Sequence, residues 1–246
     1  MKLHLPLNLL AALMTSFSGV TLGTATFVGI AGVSVTMSAA YAEDIAFDGT
    51  QVDVSSGGSV SYDAATVNAS TVLNFKGSGT VTIASLNGDA SDAVLKVNRV
   101  ANAGAALSTL NLTGEGNFNG TIYLYSETVG GSRNNILTLS HAKAAQNATV
   151  KMGGHSYEKG ASVLKVAVDS SISKLAYDGS SNDKNAAVIT GEGTTLTVTG
   201  NSSSYGGSLQ GTVTVDYTGG GTFTLGSGAK GTALSPRSAS SATLKI

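Results

Sequence analysis

The sequence predicts an all-β protein whose short strands stack as a β-solenoid behind an N-terminal signal segment. Three observations carry that prediction. Gly77-Ser-Gly-Thr-Val-Thr-Ile83, Gly191-Glu-Gly-Thr-Thr-Leu-Thr-Val198 and Gly219-Gly-Gly-Thr-Phe-Thr-Leu225 each set glycines before alternating Thr and apolar residues. A glycine turn feeding a strand of period two, recurring along one chain, marks a stacked repeat. The composition agrees, with 12% charged residues against about 25% in ordinary globular chains. Ser, Thr, Asn and 32 glycines fill the gap, and regular apolar alternation separates this chain from a flexible linker. Strands so short and closely spaced suit a sandwich, a barrel or a solenoid. Aromatics at 6% and the absence of Trp favour the solenoid. Its narrow core takes Val, Leu, Ile and Ala, each stacked on its equivalent about 4.8 Å away.

Residues 1–42 read as a signal segment. Lys2 is the only Lys, Arg, Asp or Glu before Glu43, Leu7–Met14 is apolar, and Ala40-Tyr41-Ala42 forms an A-x-A cleavage site. An uncleaved membrane anchor is the alternative, since about 20 apolar residues span a bilayer; the many Gly, Ser and Thr between Gly19 and Met37 weaken it. Cleavage after Ala42 leaves about 200 residues, the size of one domain. It leaves 13 basic against 15 acidic residues, a balance that offers no attraction to nucleic acid or an anionic membrane. The absence of cysteine excludes disulfides, thiolate metal sites and thiol catalysis.

Along the expected domain, residues 43–225, alternation predicts strands at Thr71–Lys76, Gly79–Leu86, Ala93–Val100, Leu107–Thr113, Thr121–Ser126 and Ile136–Ser140. Further strands are expected at Ala148–Met152, Ser162–Val168, Ile172–Tyr177, Ala186–Thr190, Thr195–Thr199, Thr212–Tyr217 and Thr222–Leu225. Asn87-Gly88-Asp89, Gly114-Glu-Gly-Asn117, Gly130-Gly131-Ser132 and Asp178-Gly-Ser-Ser-Asn182 are turn formers between them. His141-Ala-Lys-Ala-Ala-Gln146 holds helix formers, but at six residues it predicts a corner between strands. A pitch of roughly 20–25 residues gives about eight to ten rungs and a rod about 40–50 Å long. Residues 226–246 read as a Gly/Ser/Ala-rich tail in which Ala242–Ile246 suits a terminal strand or cap.

Leu110-Asn-Leu-Thr-Gly114 followed by Asn117-Phe-Asn-Gly120-Thr-Ile122 resembles the autotransporter-associated β-strand repeat. Gly193-Thr-Thr-Leu-Thr-Val-Thr-Gly200-Asn201 with Tyr205-Gly-Gly207 is similar in the same order, and Ile136-Leu-Thr-Leu-Ser-His141-Ala with Asn147-Ala-Thr-Val150 looks like a segment of such passengers. The resemblance covers Gly104–Gly228 and is weaker over Glu43–Val100. It implies a right-handed parallel β-helix passenger, adhesin-like, displayed or released at the surface of a bacterium with two membranes. The chain departs from that pattern after Leu225. Gly226–Ile246 contain no aromatic residue, whereas a translocator barrel needs many strands of about ten residues and aromatic girdles. A released passenger, one held by other means, or a truncated remnant is the expectation.

Chemistry-bearing residues are sparse. His141 and His155 lie in no metal-ligand spacing, and no G-x-S-x-G elbow appears. Asp89, Asp92, Asp178 and Asp183 fall in expected loops, and Arg99, Arg133 and Arg237 are far apart. The calcium nonapeptide is missing, as Gly219-Gly-Gly-Thr-Phe has no Asp. Sequons at Asn68, Asn111, Asn119, Asn147 and Asn201 follow from composition alone. No catalytic, cofactor-binding or metal-ligating residue is therefore assigned, and no cofactor is expected. Tyr62, Tyr123, Tyr125, Tyr157, Tyr177, Tyr205 and Tyr217 are the candidates for surface contact. Tyr123 and Tyr125 share a strand face, a stacking platform for sugar or the cover of a solenoid flank.

The expected function is that of a non-catalytic, exported, adhesin-like or structural repeat protein. Its expected partners are glycans or other surface proteins met through a repetitive polar face, further copies of itself, and the translocation machinery in transit. Nucleic acid is not among them. Its expected location is the extracellular or outer-membrane surface, with the periplasm as the alternative. A β-helix enzyme acting on polysaccharide is the competing reading, and it requires carboxylates and a basic residue gathered in one groove.

Overall fold

A computed structural model of the chain describes residues 43–99, 106–126, 133–154, 161–178, 187–225 and 243–246, together with the backbone of two earlier strands. Those two, β1 (Ala25–Val28) and β2 (Ser34–Met37), pair antiparallel in a sheet of their own within the unit Met1–Ala42. The Ala40-Tyr41-Ala42 cleavage site lies outside the described residues.

From Glu43 onward two parallel sheets form a β-solenoid, with no helix among the described residues. One sheet stacks β3 (Ile45–Asp48), β5 (Gly58–Ala69), β7 (Gly79–Asn87), β9 (Ala106–Leu112), β11 (Arg133–Leu139), β13 (Ser162–Val166), β15 (Ala187–Gly191) and β18 (Ser208–Gly211). The other stacks β4 (Gln51–Val54), β6 (Thr71–Phe75), β8 (Val94–Arg99), β10 (Thr121–Ser126), β12 (Ala145–Gly154), β14 (Ser170–Tyr177), β16 (Thr195–Val198), β19 (Thr214–Tyr217) and β21 (Thr243–Lys245). The chain alternates between the two. A short parallel pair, β17 (Ser203–Tyr205) with β20 (Phe223–Leu225), lies apart from both ladders.

The pitch varies more than expected. Thr195 pairs with Thr214, 19 residues on, while Gly79 pairs with Ser108, 29 residues on. Strands and corners both shorten, from nine and six residues in β7 and β8 to four each in β16 and β18. For the same reason the three glycine motifs are not equivalent positions of one repeat. The first feeds the eight-stranded sheet, the second the nine-stranded sheet and the third the short pair. They encode a turn followed by a strand, which the coil uses on more than one side.

In-register stacking builds the core. Val81, Leu110, Leu137, Leu164, Ile189 and Leu209 pair in series across one sheet, all buried. Leu95, Ile122, Val150 and Leu175 do the same in the other. Each such side chain contributes about 1.5–3 kcal/mol on burial, and strict period-two alternation keeps every one on the inner face.

The inner column is not wholly apolar. Ser108, Asn135 and Ser162 pair in series and are buried. Ser108 Oγ donates to the Gly77 carbonyl and Ser162 Oγ to those of Leu124 and Gly153. Asn135 donates to the carbonyls of Val97 and Tyr125. These carbonyls lie in β8, β10 and β12 of the facing sheet or just past β6. Buried side chains thus tie the two sheets together at the corners.

Every strand expected from Thr71 to Leu225 overlaps an observed one. From Glu43 onward five were not foreseen, β3, β4, β5, β17 and β18, and neither was the earlier pair β1 and β2. The His141–Gln146 stretch is a corner. Ala144 N–H donates to the His141 carbonyl at 3.2 Å, and β12 begins at Ala145. Contrary to the expectation of an aliphatic core, Phe47, Phe75, Phe118 and Tyr205 are fully buried. Phe118 fills the bend between β9 and β10, with its ring over Gly88 of the coil below. At φ +146°, a Cβ on Gly88 would stand 2.5 Å from the Val67 carbonyl and 3.2 Å from the Phe118 ring, so this corner closes only around glycine.

Candidate functional site

The tyrosines divide by the side of the sheet on which alternation places them. Tyr177, Tyr205 and Tyr217 are core residues, and Tyr62 packs against the core. That corrects their reading as surface contacts. Tyr205 donates to the Ala187 and Ser208 carbonyls and meets Tyr177 edge-on at 6.4 Å. Burial raises its phenol well above the ordinary value. Tyr157, His155, Asp183 and Arg237 lie outside the described residues.

Tyr123 and Tyr125 point outward from β10, alternating with the buried Ile122 and Leu124. Their ring centroids are 5.5 Å apart, tilted by 53°, within the range of favourable aromatic pairs. Register adds what spacing alone does not show. Lys96 on β8 and Lys151 on β12 stand opposite Tyr123 on its two sides. Lys151 Nζ lies 4.5 Å from the Tyr123 centroid and Lys96 Nζ lies 4.8 Å from the Tyr125 centroid. Both contacts are cation–π in geometry.

Asp178, just after β14, completes the cluster. It accepts a hydrogen bond from the Tyr123 hydroxyl and lies 3.8 Å from Lys151. It reaches there because Gly153 stands opposite Tyr125 and carries no side chain. A Cβ on Gly153 would come within 2.8 Å of the Asp178 Cβ. Burial first, then the bond to Asp178 and the charges nearby, raise the Tyr123 phenol far above its ordinary value. At neutral pH Tyr123 is therefore a donor and not a base. Among the described residues the cluster holds one carboxylate, Asp178, which faces a phenol and an ammonium, whereas glycoside hydrolysis takes a pair.

The same outer face carries an amide row at its start. Asp53, Asn74, Asn98 and Tyr125 occupy successive strands. Asp53 accepts from Asn74 Nδ2 at 2.9 Å and Gln51 Nε2 at 2.6 Å, with Lys76 at 3.2 Å. The Asn74 bond, with those of Gln51 and Lys76, holds the Asp53 carboxyl below its usual range against the opposing effect of desolvation.

The outer face of the eight-stranded sheet presents one polar residue per strand. Ser61, Thr82, Asn111, Thr138, Lys165, Thr190 and Gln210 pair in series. At a strand spacing of about 4.8 Å the row runs about 29 Å. At the corner between the sheets, Asn68, Asn87, Asp89 and Asn117 line a shallow groove of about 310 Å³. Asp89 and Asp92 are exposed loop residues, as expected. No group of three or more His, Cys, Asp or Glu stands in metal-binding proximity among the described residues.

No protein-family model, curated protein or solved structure matches the chain.

Proposed function

We propose that this is a non-catalytic exported repeat protein of the autotransporter-passenger type, adhesin-like, acting through a long regular surface. The observation that supports it best is the outward row from Ser61 to Gln210, one polar side chain per strand along a rigid stack. Hydroxyls, amides and one ammonium at fixed spacing suit many weak contacts with glycans or other surface proteins, whose effects multiply when they act together. The reading includes removal of residues 1–42 during export and a location outside the inner membrane.

Fractionation of a culture, with N-terminal sequencing of the recovered protein, tests it. A chain beginning at Glu43 in the medium or outer-membrane fraction is the expected result. A chain retaining Met1 in the cytoplasm overturns the export reading.

A further inference from the structure

We propose that the Tyr123–Tyr125 face binds carboxylated sugars, with the two rings stacking against pyranose C–H faces and Lys96 and Lys151 receiving the carboxylates. The inference rests on the exported-scaffold reading and names the class of glycan. A neutral sugar needs only an aromatic platform and hydroxyl partners. Here an ammonium lies over each ring, 4.5 and 4.8 Å from the centroids.

The arrangement is built rather than incidental. Lys96, Tyr123 and Lys151 stand on three consecutive strands, so the two ammonium-bearing strands flank the tyrosines on either side. Lys151 is 3.8 Å from Asp178, longer than a hydrogen bond, and an ammonium has three donors. A ligand carboxylate therefore meets a cation already positioned by a ring and a neighbouring acid. The space that a side chain at Gly153 would take is filled by Asp178, whose Cβ would stand 2.8 Å from a Cβ placed there. Fixed there by Tyr123, it stands beside the rings as an acceptor for sugar hydroxyls.

Titration calorimetry on the protein recovered from the fraction where it accumulates tests this. The probes are a galacturonic acid oligomer, free galacturonic acid, and a neutral glucose oligomer of equal length. The acidic oligomer is expected to bind at least about tenfold more tightly than the neutral one, with the preference shrinking at high salt. Free acid that binds as well as the oligomer places recognition in one subsite, and weaker free acid extends the site along the polymer. Tyr125→Ala and, as a milder variant, Lys151→Gln should each weaken binding about tenfold. Lys143→Gln, at the corner before β12 where it pairs with Glu115, should leave it unchanged, and thermal melting confirms that each variant folds. Equal affinity for acidic and neutral oligomers overturns the proposal, as does no binding, or cluster variants that bind like the parent. Protein found in the cytoplasm sinks the export reading alone, whereas export without uronate binding sinks this one alone.

Discussion

Tyr123 donates its phenolic hydrogen to Asp178, 55 residues further along the chain and two strands away across the nine-stranded sheet. A bond between positions so far apart exists only while the intervening coils hold their register. Tyr123→Phe keeps the ring and its lysine but removes the donor. The expected cost is about 1 kcal/mol, read as a lower urea midpoint with an unchanged slope.

Alkaline pH probes the same environment. Tyr62, Tyr123 and Tyr205 all have phenols raised above the ordinary value near 10, by burial foremost. Their folded forms hold the proton after the unfolded chain has released it. Stability from this source is complete below about pH 10 and falls as pH climbs beyond it. Denaturant titrations at pH 8 and pH 11 should show the loss, and Tyr123→Phe should reduce it. Equal stability at both values would contradict the burial described here.

Asn135 tests the polar seam inside the solenoid. Its amide serves the carbonyls of Val97 and Tyr125 in a buried corner. Asn135→Leu should cost about 1–3 kcal/mol by removing two buried hydrogen bonds. Thr113→Ala, at an exposed corner, should stay within about 0.5 kcal/mol. Equal midpoints for the two variants would mean that the seam is dispensable.

Gly88→Ala should be worse still for its size. The added methyl meets the Val67 carbonyl in a left-handed backbone, a conformation that costs about 1–3 kcal/mol in a non-glycine residue before any clash. A melting temperature unchanged from the parent would show that the Phe118 corner opens more easily than its packing implies.

Much of this architecture was legible in the sequence because alternation is a direct image of the inner and outer faces. Val213, Val215 and Tyr217 share one phase, and so do Leu175 and Tyr177; read by phase, those tyrosines belong inside, where they are. Tyr123 and Tyr125 fall out of phase with Ile122 and Leu124, and read by phase they belong outside, where they are. What sequence could not supply is register. Lys96, Lys151 and Asp178 come to the tyrosines through coils of unequal length, so no fixed spacing announces them. The unforeseen β5 has a different cause. Its inner face passes from Val60 and Tyr62 to Ala65 and Val67, a change of phase where the strand turns the corner. Such a switch erases the alternation by which strands are recognised. β17 and β18 are only three and four residues long and keep one buried marker each, Tyr205 and Leu209, too few to show a period.

Paired cysteines test the central claim, parallel coils stacked in a fixed register, in a chain that has no cysteine of its own. Thr82 and Asn111 are partners on neighbouring strands and face outward together, about 4.8 Å apart and within disulfide reach. Thr82→Cys with Asn111→Cys should cross-link under mild oxidation, whereas Thr82→Cys with Leu110→Cys should not, because Leu110 faces the core. Failure of the first pair in folded protein, or cross-linking of the second, would contradict the register on which both the core and the outer face depend.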